Sequence, residues 1–371
     1  MNARTDAFLA LNLLSGIGPM RAQTLLKHFE GDPEAIFAAS VSDLKRVKGV
    51  GTELASSILD WENRIDLLEE KRRLDEHGVS LLTIDSEDYP PALRKIYDPP
   101  FLLYMKGSIL PADRHAIALV GSRRTTHYGT EAARRFGFQL ANAGITIVSG
   151  LARGIDTAGH EAALAAGGRT IAVLGSGIGN VYPAENQGLA DKIAENGAVL
   201  SEFPVLYVPD KQSFPLRNRI VSGMSQGVLV AEAPERSGSM ITAGQAMEQG
   251  RVVFAVPGPI DRPSSAGCHR LIQQGAKLVC DAADILSEID SFSELNKDDA
   301  ASEDPGSSRL DSLGPTEKQV LAAFGNEKEM LVDNLVEAAG LPLATVNVAL
   351  LQLEMNMVIK QLPGKIFSKL L

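Results

Sequence analysis

Six short apolar runs recur through the middle of the chain: Ala116–Val120, Ile145–Val148, Thr170–Leu174, Ala198–Leu200, Val228–Ala231 and Val252–Val256. They are continuous rather than alternating and too short for helices, which is the form of strands covered on both faces. Segments with helical spacing of apolar positions lie between them. Strands and helices in alternation predict a doubly wound, Rossmann-like α/β fold with a parallel sheet over residues 109–287.

The pattern differs on either side. Residues 1–75 follow helical spacing, with two similar signals, Leu14-Ser15-Gly16-Ile17-Gly18 and Val47-Lys48-Gly49-Val50-Gly51. Each precedes a helical stretch, Met20–Phe29 and Glu53–Leu68. This resembles paired helix-hairpin-helix motifs, whose glycine turns offer backbone N–H groups to a DNA phosphate. A small helical bundle using glycine for shape alone fits the same residues. Lys45, Arg46 and Lys48 favour DNA; Asp60, Glu62, Glu69 and Glu70 oppose it. Residues 76–108 hold two strand-like runs, Val79–Ile84 and Phe101–Met105, and read as a lead-in to the main domain. Residues 288–311 are acidic and poor in apolar positions, the composition of a flexible linker. Residues 312–371 give helices at Pro315–Phe324, Leu331–Ala339 and Ala344–Glu354, then a hairpin at Val358–Leu362 and Lys365–Leu370. That is the order of a winged helix. Its third helix carries no lysine or arginine, so a protein contact or a structural role fits it as well as DNA does.

Charge changes the picture less than its total implies. The chain of 371 residues has a net charge of −10, which opposes non-specific attraction to a polyanion. Much of that deficit lies in the linker, where 8 acidic residues face 2 basic ones over 288–311. Over 109–287 the balance is 16 basic to 15 acidic, and 13 of the 16 are arginine, the residue suited to bidentate phosphate contacts. Two cysteines, Cys268 and Cys280, form no CxxC pair and read as small buried hydrophobes. No apolar run is long enough to span a bilayer, and the N-terminus lacks a signal peptide's basic start, so a cytoplasmic protein is expected.

Ligands of doubly wound sheets bind outside the carboxyl ends of the strands. The segments directly after the apolar runs carry nearly all the unusual chemistry. Gly121-Ser122-Arg123 is one anion-friendly turn. Gly150 to Gly154, with Arg153, is a second. Ser237-Gly238-Ser239 before a helix is a third, and Ser264-Ser265 a fourth. Glycine admits close approach of an anion to backbone N–H groups, and a helix start adds partial positive charge. A mononucleotide needs one such turn; a row of them suits a strand of nucleic acid. Lys211, Arg217 and Arg219 add cations, Phe214 a face for stacking bases, and Asn218 a group for a base edge or a loop carbonyl. In the alternative, Phe214 belongs to the core and Arg217 pairs with Glu202 or Glu232. Gly175-Ser176-Gly177-Ile178-Gly179-Asn180 lacks the last glycine of a dinucleotide fingerprint, and no acidic residue ends the second strand. No P-loop, GxSxG elbow or metal-ligand spacing is present. No cofactor, metal site or catalytic residue is therefore expected.

These residues resemble the bacterial DNA-processing protein A family, DprA or Smf. The shared stretches are VGSR at 120–123, SGLARGID at 149–156, GSGIGNVYP at 175–183, SEFP at 201–204, FPLRNRI at 214–220 and SGSMITAGQAMEQGR at 237–251. The resemblance implies a non-enzymatic recombination mediator. Such a protein binds and protects incoming single-stranded DNA in natural transformation, helps load the RecA recombinase, and forms a homodimer through the Rossmann-like domain. It also implies that Ser122, Arg123, Arg153, Lys211, Phe214, Arg217, Asn218 and Arg219 line the DNA groove, with the glycine turns and Ser237 to Ser239 adding backbone or hydroxyl contacts. Two rival readings stay open. One is a nucleotide-monophosphate enzyme using SGSMITAG with Glu232, Glu235 or Glu248. The other is a regulator whose winged helix reads duplex DNA.

Overall fold

The computed structural model describes residues 3–289, 314–325, 327–355, 358–362 and 366–369. The expected linker lies almost wholly outside them. The chain divides into two units, residues 1–289 and 290–371.

The larger unit is built on a nine-stranded sheet: β1 (Ser80–Thr83), β2 (Leu102–Gly107), β3 (Ala116–Val120), β4 (Thr146–Ser149), β5 (Thr170–Leu174), β6 (Gly197–Ser201), β7 (Gly227–Val230), β8 (Val252–Ala255) and β9 (Lys277–Leu278). Their order is β1-β2-β6-β5-β4-β3-β7-β8-β9, parallel from β6 to β9. The direction of winding reverses between β3 and β7, so the loops after these strands face the crevice of a doubly wound sheet. The continuous apolar runs are explained by burial on both faces: β3 to β7 are buried at every position.

The two faces pack into two cores. Ile171 and Val173 join one, Ala172 and Leu174 the other, as the alternation of a strand requires. The second core also contains Phe8, Leu9, Leu11, Leu25 and Ile58. The N-terminal helices thus share a core with the sheet. Polar ties reinforce the packing: buried Glu70 accepts from Val205 N at 2.7 Å, and Asn12 Nδ2 donates to Glu202 O at 3.1 Å.

The structure refines several expectations. The lead-in is part of the sheet, with β1 and β2 pairing antiparallel and β2 covering the edge of β6. Strand β9 has only two residues, too few to leave a periodic signal. The helix expected over Glu53–Leu68 ends at Leu59, because the Asp60 carboxylate takes Asn63 Nδ2 and Arg64 Nε and turns the chain. A new helix, Leu67–His77, starts where Asp66 caps Glu69 N. Gly16 and Gly49 adopt φ +86° and +88° in the two hairpin turns, a conformation that favours glycine. Cys268 is buried, its thiol pushed up to about 11 chiefly by burial, whereas Cys280 is exposed, against expectation.

In the smaller unit, helices Pro315–Ala323, Val332–Ala339 and Leu343–Met355 accompany a three-stranded sheet of β10 (Glu329–Leu331), β11 (Ile359–Leu362) and β12 (Ile366–Lys369). Val320, Phe324, Leu335, Val346, Leu350 and Phe367 form its core. This is a winged helix, and Leu343, Asn347, Val348 and Gln352 are exposed on its third helix. No described helix is long and apolar enough to cross a membrane.

Candidate nucleic-acid interface

The loop after β3 and the loop after β4 are locked together by glycine. Gly154 adopts φ +81°, and a Cβ there would collide with Ser122 O. Ile155 N donates to the same oxygen at 3.2 Å. Ser122 is buried, and its hydroxyl both donates to Arg124 O and accepts from Arg124 N. Its role is to hold the turn, which leaves Arg123 exposed at the tip. Gly121 is tight for another reason: a Cβ would stand 2.7 Å from Glu232 O. Asp156, at the start of the helix Ile155–Ala165, accepts from Gly150 N at 3.1 Å and Ala152 N at 3.3 Å. Two amides of the second turn therefore hold a carboxylate of the chain itself. Burial raises the pKa of Asp156, with the Arg217 charge opposing.

Arg123 and Phe214 meet at this edge. The Arg123 guanidinium lies 5.1 Å from the centroid of the Phe214 ring, within cation–π range. Tyr182 also approaches Phe214, the two ring centroids 5.7 Å apart and the rings tilted by 50°. Phe214 is half-buried against Gly175, where a Cβ would come within 2.9 Å of its ring. Arg123, Gly150, Ala152, Arg153, Tyr182, Pro183, Phe214 and Arg217 line a small, shallow cleft. Arg153 is exposed and paired with Glu185.

The two arginines of FPLRNRI do not stand at the surface. Arg217 is 4% exposed and forms the cleft floor, with Nη1 donating to Gly150 O and Val173 O. Burial lowers its pKa to about 10, against the pull of Asp156 and with help from Arg123. Arg219 is 3% exposed and points away, bound to Asp98 Oδ2 at 3.0 Å and Glu202 Oε1 at 2.7 Å. Its expected phosphate contact is thus corrected to an internal ion pair. Helical spacing explains this: positions 217 and 219 lie 200° apart on a helix and cannot share one surface. Glu202 pairs with Arg219 rather than Arg217. Glu232 accepts from Thr125 Oγ1, Thr126 N and Thr126 Oγ1 at 2.6–3.0 Å.

Asn218 bonds protein rather than open space, accepting from Arg217 Nε at 3.1 Å and donating to Gly238 O at 3.4 Å. It ties the cleft floor to the third turn, where the Ser237 and Ser239 hydroxyls bond each other at 2.7 Å. Ser237, Gly238, Ser239 and Lys211 do not line the cleft; Lys211 is exposed on the loop before the Ser213–Gly223 helix. Sequence reasoning missed Tyr182, Glu185 and Asn186. The run ending Val181-Tyr182-Pro183 was informative for its aromatic as well as its glycines.

Beneath the cleft lies His160, fully buried in mid-helix. Its Nδ1 is 2.6 Å from Thr170 Oγ1. That hydroxyl donates its one proton to Ile147 O at 2.7 Å, so Nδ1 carries the imidazole proton and Nε2 is left bare. Burial, then the Arg217 charge, drives its pKa down to about 3. The unfolded chain takes up this proton first, so the stability this group contributes is complete above pH 6.5 and lost as pH falls towards 3. His160→Gln is expected to flatten the acid limb of stability against pH between those values. Urea unfolding across that range checks it; an unchanged slope contradicts the assignment.

The family model for DNA recombination-mediator protein A matches residues 80–290, the DprA winged-helix model residues 304–365, and a SAM-like helix-hairpin-helix tandem residues 8–60. Protein Smf of Synechocystis sp. is 33% identical over 99% of both chains. Protein Smf of Escherichia coli is 43% identical over 78% of each. The chain belongs to the DNA-processing protein A family, DprA or Smf. Among solved structures, DprA of Streptococcus pneumoniae superposes with a TM-score of 0.69 at 37% identity, covering 77% of this chain and 98% of its own. DprA of Helicobacter pylori, studied for its single-stranded DNA binding mode, gives 0.52 at 32% identity, covering 59% and 96%. In this fold the first two glycine turns follow β3 and β4, and residues of both line the cleft.

Proposed function

We propose that this DprA-family protein binds single-stranded DNA in the cleft at the strand ends. The observation that carries the reading is the cluster of Arg123, Phe214 and Tyr182, a cation over one aromatic ring with a second ring beside that one, at the strand ends of a doubly wound sheet. Phosphates meet Arg123 and Arg153, and bases stack on the aromatic faces, which every base offers regardless of sequence. The single-strand binding of the Helicobacter pylori relative supports it. The competing enzymatic reading is opposed at Glu232, whose carboxylate is held by three donors, and at Glu235, which pairs with Arg270 at 3.3 Å. Protection of incoming DNA, transfer of the strand to RecA in the cytoplasm, and homodimerisation through the Rossmann-like domain complete the proposal and rest on family membership.

Fluorescence anisotropy with labelled single strands, duplex and a mononucleotide tests it at two salt concentrations. Single strands are expected to bind best, with affinity falling as salt rises by a log–log slope of about −0.7 per neutralised phosphate. Arg123→Ala should weaken binding across sequences alike and make that slope shallower. Equal binding of the mononucleotide, or an Arg123→Ala protein with wild-type affinity, counts against the cleft.

A further inference from the structure

We infer that Glu185 is an intramolecular stand-in for phosphate, a carboxylate held on Arg153 that an entering DNA strand has to displace. This rests on the single-strand reading of the cleft and adds to it the group that sets how readily the site accepts an anion.

The pair is placed by structure around it rather than by chance contact of two long side chains. Glu185 lies in the short 3₁₀ turn Ala184–Asn186, directly after Tyr182 and Pro183 of the cleft wall. The next residue, Asn186, is buried and bolts that turn to the second glycine loop. Its Nδ2 donates to Leu151 O and Thr157 Oγ1, both at 2.9 Å. Arg153 sits on that same loop, two residues after Leu151. The Arg153 Nε–H donates to Glu185 Oε1, and each side chain keeps about half its surface in solvent. Each partner shifts the other in the expected sense: the Glu185 carboxyl is lowered first by the Arg153 hydrogen bond, and the Arg153 guanidinium is raised by Glu185.

The consequence is electrostatic. Of the arginines lining the cleft, Arg217 is engaged by backbone carbonyls beside Asp156, and Arg153 is neutralised by Glu185. That leaves Arg123 as the exposed cleft arginine without a carboxylate partner among the described ion pairs. A phosphate approaching Arg153 therefore competes with a carboxylate, the other anion that a guanidinium pairs with. Exposed pairs of this kind are weak, so a strand that is anchored elsewhere on the cleft makes the exchange readily, whereas a lone anion has little else to hold it.

Anisotropy with a labelled oligothymidylate at low salt separates the outcomes, using the wild-type chain, Glu185→Gln, Arg153→Ala and the double variant. Removing the competing charge is expected to tighten binding about two- to five-fold, the span of an exposed ion pair. The gain should fade at high salt and disappear when Glu185→Gln is made in the Arg153→Ala protein. Glu185→Asp, which keeps the charge, should bind as wild type does. Unchanged or weaker binding by Glu185→Gln overturns the inference, since it would make Glu185 a support for Arg153. An equal gain in both backgrounds also overturns it, since the effect would then be general charge. Glu185→Ala replaces the glutamine variant if the latter folds poorly. Failure of the wild-type chain to bind any strand would sink the single-strand reading itself, a separate result from these.

Discussion

Arg219→Met is expected to destabilise the larger unit by about 3–5 kcal/mol, the cost of removing one partner from a buried ion pair. The reason is what remains. Glu202 is buried at the end of β6, its pKa already raised by burial despite the neighbouring arginine. Arg219 gives it two bonds, at 2.7 and 2.9 Å, and reaches Asp98 at 3.0 Å. Without the guanidinium the carboxylate stays in the interior with nothing to offset its lost hydration. Removing both charges, as Arg219→Met with Glu202→Gln, should recover part of the loss, because a neutral side chain carries a smaller desolvation penalty. Urea unfolding followed by circular dichroism measures both. Folded Arg219→Met protein should bind single strands with near-native affinity. A variant as stable as wild type that fails to bind DNA would return Arg219 to the interface.

Phe214→Ala is expected to show the opposite profile. Loss of one stacked base costs about 1–3 kcal/mol in single-strand binders, a drop in affinity of roughly 5- to 150-fold. The aromatic cluster loses its centre, since Arg123 and Tyr182 both approach the Phe214 ring. The ring is only half-buried, so the fold loses less than a fully buried phenylalanine would forfeit, about 3–5 kcal/mol. Phe214→Leu sharpens the test. Leucine fills much of the space against Gly175 but offers no π-face, so it should restore stability while leaving affinity low. Affinity recovered by leucine would mean that Phe214 acts by packing alone, as the core reading of this residue holds.

Much of the fold was legible because its signals are local. Continuous apolar runs marked β3 to β8 to within a few residues, since a strand buried on both faces has no polar alternation to confuse it. The glycine turns were legible for the same reason: Gly154 and Gly16 need conformations that other residues rarely adopt. The short strand β9 and the break at Asp60 were not legible, the first for want of length and the second because side-chain bonds three and four residues away ended a helix that the apolar spacing would have continued.

The site divides along the same line. Sequence alone determined that the Gly/Ser/Arg turns follow strands, and so which edge of the sheet carries the chemistry, because chain direction in a parallel sheet leaves no choice. Only the tertiary structure decided which arginine is offered to a ligand. Arg219 finds Asp98 from 121 positions away, and Arg153 finds Glu185 from 32. Arg217 drops beneath the loop that Gly150 leaves open, and Arg123 is left over Phe214. A guanidinium's role is set by the carboxylates and carbonyls that come within about 4 Å of it, and the folded topology, not the neighbouring sequence, selects those groups.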